Sequence, residues 1–76
     1  MTRLPRWNAT RLYREHTADE LTALAATLQA DPVNANPEHA AGRSIWLYTK
    51  ETHRRLAAIA QAITWHLHDK RAAGAA

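Results

Sequence analysis

Alanine sets the first limit on what this chain can build. Seventeen of its 76 residues are alanine, leaving eighteen larger apolar side chains for an interior. Alanine is the strongest helix former yet contributes little core. A chain of this length buries only about 60% of the surface its unfolded form exposes. The composition therefore points to an all-α fold of one domain, with a small core that gains from a partner or a second copy.

Two segments carry clear helical patterns. Thr17-Ala18-Asp19-Glu20 fits a capping box, in which the threonine hydroxyl and the glutamate side chain satisfy each other's amides. Leu21, Leu24, Ala25 and Leu28 then follow on one helical face. Asp31-Pro32 ends the pattern, because the residue before a proline is pushed out of helical geometry. This predicts a helix over 18–30. Downstream, Leu56, Ile59, Ala60, Ile63 and Leu67 form a second stripe, with Glu51 and Arg55 paired one turn apart. Lys70 and Arg71 suit the negative end of that helix. It is expected over 50–71, about 33 Å long, with a frayed tail at 72–76. Thr17, Leu21, Leu24 and Leu28 recur as Thr52, Leu56, Ile59 and Ile63. Any two alanine-rich core helices look alike, however, and one pair is too few for a solenoid.

The remaining segments are less regular. Residues 1–16 read as an arginine-rich arm, extended or with one helical turn, that docks Trp7, Leu12 or Tyr13 on the helices. In the connection, Asn36-Pro37-Glu38 resembles a cap, a first-turn proline and an acid, and Gly42 a terminator, predicting one short turn at 37–41. Ile45-Trp46-Leu47-Tyr48 fits either a short extended segment, with Thr49 capping the next helix, or the start of one longer helix capped by Ser44. The extended reading is preferred, and needs the arm or a second chain to pair with. The resulting expectation is an antiparallel two-helix hairpin over 17–71 behind an arm.

Charge is arranged in blocks. Residues 1–14, 15–42 and 43–76 carry net charges of +4, −5 and +4. Such blocks attract each other within a fold, which competes with reading the arginines as a nucleic-acid surface. With no cysteine, disulfides, thiolate metal sites and cysteine nucleophiles are excluded. No apolar run reaches the roughly 18 residues of a membrane span, and no apolar stretch follows Arg3 and Arg6 as in a secretory signal. A cytoplasmic location is the expectation, and Asn8-Ala9-Thr10 is then a chance match to a glycosylation acceptor.

Catalysis finds little support. Ser44 is the single serine, Gly42 and Gly74 are the only glycines, and the acids Glu15, Asp19 and Glu20 are explained by helix initiation. His66 and His68 point apart on a helix and cannot share a metal. A non-catalytic chain without cofactor, metal or small-molecule substrate is expected. Trp65 is the most informative residue: it lies about 180° from Leu56 on a helical wheel, beside Ala58 and Ala62. An indole opposite the main stripe, flanked by small residues, reads either as covered by the arm or as a contact for another protein or a second copy. Trp65, Ala58 and Ala62 are the candidate interface. The alternative is a nucleic-acid-binding regulator using Arg3, Arg6, Arg11, Arg14, Arg54 and Arg55 on phosphates. In outline the order of elements resembles ribbon-helix-helix repressors, with Arg11-Leu12-Tyr13-Arg14 where the DNA-reading strand would stand. The connection between the helices is far longer than that family's tight turn, so the likeness is one of pattern, not motif.

Overall fold

The computed structural model describes residues 6–74, which are mostly helical with no strand: α1 (Ala9–Glu15), α2 (Ala18–Ala30), a 3₁₀ turn (Pro32–Asn34), α3 (Pro37–Ala40) and α4 (Lys50–Gly74). Helix α4 organises the rest. Thr49 Oγ1 accepts from the Thr52 amide at 3.3 Å, so the threonine caps it. The helix then runs unbroken for 25 residues, about 37 Å. It continues through Gly74, three residues past the expected end at Arg71; residues 75–76 lie outside the described ones.

Helix α2 has the expected bounds, and its capping box is complete. Thr17 Oγ1 accepts from the Glu20 amide at 3.2 Å, and Glu20 Oε1 accepts from the Thr17 amide at 2.8 Å. Those bonds, the one from the Thr17 amide foremost, hold the Glu20 carboxyl below its usual range. At the far end Asp31 Oδ1 accepts from the Val33 amide at 3.0 Å and turns the chain into the 3₁₀ segment.

The arm expected over residues 1–16 requires correction. Residues 9–15 form a helix, capped by Asn8, whose Oδ1 accepts from the amides of Thr10 and Arg11 at 2.9 and 3.3 Å. A seven-residue helix is marginal alone. Burial sustains it: Leu12 is inserted into the same cluster as Leu21, Ile59 and Ala62. Arg11-Leu12-Tyr13-Arg14 is helical, which removes the outline likeness to ribbon-helix-helix repressors. Residues 1–5, including Arg3, lie outside the described residues.

Three helices therefore share one core, where a two-helix hairpin was expected. Asn34, just past α2, contacts Thr52 near the start of α4, while the His16 carbonyl, just before α2, accepts from His66 Nε2 at 2.7 Å. Helices α2 and α4 are thus antiparallel. Trp7 stacks near Arg55, and Tyr13 meets Trp65, so α1 runs in the direction of α4. On α4, Thr52, Ile59 and Ala62 are buried, Ala58 and Trp65 flank them on one side, and Leu56 and Ile63 flank them on the other. The aliphatic stripe and the indole are the two edges of one buried arc spanning half the helix. Ala60 and Leu67, assigned to the stripe by periodicity, fall beyond that arc and are exposed.

The radius of gyration is 14.9 Å, against about 11 Å for a compact chain of this length. The principal extents of 51 × 34 × 16 Å locate the excess in a slab as thick as two packed helices. Outward helix faces in such a slab are not covered by any of the described residues.

Candidate functional site

The connection between α2 and α4 is held by polar groups. Asn34 Nδ2 donates to the Leu28 carbonyl at 2.9 Å, closing the C-terminus of α2. Its Oδ1 accepts from Thr52 Oγ1 at 3.1 Å, and Thr52 Oγ1 accepts from Thr49 Oγ1 at 2.8 Å. Asn34 and Thr52 are buried, and this chain of bonds satisfies both. The extended reading of residues 45–48 holds, but the pairing partner is neither arm nor second chain. Tyr48 bridges Ala35 in antiparallel fashion, with Asn36 N donating to the Leu47 carbonyl at 3.0 Å and Thr49 N to that of Asn34 at 2.9 Å.

Between these ties the chain makes the expected short turn. Asn36 Oδ1 accepts from the Glu38 amide at 3.1 Å, and its Nδ2 donates to the Trp46 carbonyl at 2.8 Å. Gly42 adopts a φ of +75°, which only glycine takes without strain, and Arg43 N donates to the Glu38 carbonyl at 2.8 Å to end α3. Arg43 Nε pairs with Glu38 at 2.6 Å, and the Trp46 amide donates to Ser44 Oγ at 3.1 Å.

This well-braced loop presents apolar side chains to water. Ile45, Trp46 and Leu47 are 87%, 60% and 54% exposed. Single exposed apolar residues are ordinary; three in a row on a fixed backbone are not. Behind them His53 Nε2 accepts from the Tyr48 amide at 3.3 Å. The His53 ring meets Trp46 edge-on at 5.1 Å and Tyr48 at 5.7 Å. Together with Lys50, Arg54 and Ala57 on the outward face of α4, these rings line an open groove of about 640 Å³. Lys50 and Arg54 stand one turn apart, about 6 Å, and make no ion pair among the described residues.

The residues singled out from sequence fall elsewhere. Ala62 is 0% exposed in the core, Ala58 is half-buried against it, and Trp65 meets Tyr13 edge-on at 5.7 Å. Of the two readings of Trp65, cover from within the chain is the one observed, so this face is unavailable to a partner while α1 is docked. Tyr13 also donates its hydroxyl to Asp69, and the carboxylate raises the phenol's pKa. The arginines do not converge. Arg6 and Arg55 each lie over the Trp7 ring, 5.1 Å from its centroid, and Arg55 also pairs with Glu51 at 2.6 Å. Arg11 pairs with Glu15 at 2.5 Å, Arg14 is exposed on α1, and of the described candidates only Arg54 reaches the groove. Among the described residues no cluster of three or more histidines and acids is arranged to hold a metal, and no helix is long and apolar enough to cross a membrane.

Sequence reasoning missed Ile45, Trp46, Leu47, Tyr48, Lys50 and His53 as a group. The available signal was a run of large apolar residues without helical phase, directly ahead of a cap. Compared with known proteins, the chain matches no family model, no curated protein and no solved structure.

Proposed function

We propose that this chain is an α-helical protein-interaction module that engages another protein through Ile45, Trp46, Leu47 and the adjoining groove. The observation that carries the reading is the contrast between a backbone fixed at both ends of residues 45–47 and side chains left in water. Tryptophan in such a position is the residue type most often dominant in protein interfaces. The module works by presentation: α4 is a rigid support, and the connection fixes the height and direction of the apolar projection. This replaces the surface around Trp65, Ala58 and Ala62. The nucleic-acid reading has less behind it, since Arg6, Arg11 and Arg55 are engaged within the fold.

A photo-crosslinking side chain at position 46, compared with one at Ala26 on exposed α2, tests the reading in the source cell. The expected result is a discrete protein adduct from position 46 alone. After identification, the purified partner should bind the wild type and lose affinity at least tenfold for Trp46→Ala, about 1.4 kcal/mol. Equal adducts from both positions, or reconstituted binding indifferent to Trp46, would remove the proposal.

A further inference from the structure

Resting on that interaction reading, we infer that the groove accepts a partner segment bearing an apolar side chain beside two carboxylates one helical turn apart. The groove joins two kinds of surface that seldom lie together without use. One wall is aromatic, with Trp46 and Tyr48 set against His53, and Ala57 leaves room at the base. The other wall is the Lys50 and Arg54 pair, which has no counter-ion among the described residues. Its volume of about 640 Å³ suits one or two side chains rather than a whole helix.

Among the described residues no pair of acids supplies the missing charge. Glu20 is committed to the capping box, Asp31 to the Val33 amide and Asp69 to Tyr13. Glu15, Glu38 and Glu51 are paired with Arg11, Arg43 and Arg55. Asp19 is the one acid left, and a single carboxylate cannot answer two cations. A second copy is therefore a poor occupant, and an acidic, apolar segment of a different protein is the complementary one. Residues spaced i,i+4 on a helix place their carboxylates at about the needed separation, with an apolar residue at i+3 or i+7 on the same face.

Synthetic peptides test this with the intact chain. The first probe is a helical peptide of about 15 residues with glutamates at i,i+4 and a leucine at i+7. The others are its lysine-for-glutamate counterpart, its leucine-to-alanine version, and an oligothymidylate of about 10 nucleotides. Tryptophan fluorescence and amide shifts report binding and its location. The acidic peptide should bind saturably, moving the amides of Trp46, Lys50 and Arg54, and the lysine and alanine versions should bind at least tenfold more weakly. In the Lys50→Glu/Arg54→Glu variant the preference should invert. An acid at Lys50 suits the positive end of α4, so the fold is retained, as circular dichroism will register. Equal binding of the lysine peptide, tighter binding of the oligothymidylate, or no saturation below about 1 mM would each overturn the inference. If crosslinking at position 46 still yields a partner in that case, the interaction reading survives and the assigned chemistry alone is lost.

Discussion

The two sides of α4 are held by different forces. On the inner side α1 and α2 bury Leu12, Leu21, Ile59 and Ala62, and apolar contact joins the helices. On the side of the connection the Leu28–Asn34–Thr52–Thr49 chain of hydrogen bonds fixes the backbone, while Ile45, Trp46 and Leu47 stay outside. Apolar side chains stabilise the first region and are merely displayed by the second. The lesson is that hydrophobicity alone does not identify a core here. What separates the regions is whether the apolar groups share a helical phase with a facing element.

The sharpest way to break this contrast is to remove bulk from the seam. Ile59→Ala should cost about 2–5 kcal/mol, through lost transfer energy and the cavity left behind. A chain of this length has only about 4–11 kcal/mol in all, so chemical denaturation should show a large fall in midpoint. Next in size is Asn34→Ala, which strips partners from the Leu28 carbonyl and the buried Thr52 hydroxyl. A loss of about 1–3 kcal/mol is expected, together with faster amide exchange at Asn36 and Thr49, the donors of the bridge. A variant with exchange unchanged would mean the connection is held by something other than this network.

These same regions differ in how much of them could be read from sequence. Helix α2 was legible because a capping box, a proline stop and a 3.6-residue stripe all agree locally, and α4 because a longer stripe follows the Thr49 cap. Helix α1 was not, because its seven residues hold just one residue of the buried cluster, Leu12. Asn8 matched a glycosylation pattern and masked its role as a cap. Trp65 lies half a turn from Leu56, yet both are edges of one buried arc rather than contrary sides, because α1 covers the indole, a tertiary fact with no local signature. The groove was illegible for a similar reason. Trp46, His53 and Arg54 meet because Asn36 ties the turn to the Trp46 and Leu47 backbone, and nothing in the spacing of those residues announces it.

Smaller effects refine the account of the inner side. Asn8→Ala removes the acceptor for two amides and should cost about 0.5–2 kcal/mol. Loss of α1 order should then expose Trp65, seen as a red shift in its emission. The Glu20 capping bond predicts a pH dependence of definite sign. Its carboxyl sits below its ordinary value of 4.5 in the folded chain. Its contribution is therefore complete above that value and is lost as pH falls through the lower folded pKa. Thermal melts of the wild type should drop across that acidic window more steeply than those of Glu20→Gln, which has no carboxylate to titrate. Parallel curves would show that the box contributes nothing through charge.

The smallest expected change in stability falls on the largest exposed ring. Trp46→Ala removes an indole that is 60% in water and touches the fold chiefly through its edge-on contact with His53. Exposed substitutions of this kind shift stability by about 0.5 kcal/mol or less. The Trp46 backbone, whose carbonyl accepts from Asn36 and whose amide donates to Ser44, is untouched by the change. A denaturation midpoint close to wild type would mean the side chain is dispensable to folding, as a displayed group should be. A loss near that of Ile59→Ala would instead make Trp46 part of a second core, and the division between a packed side and a presenting side of α4 would disappear.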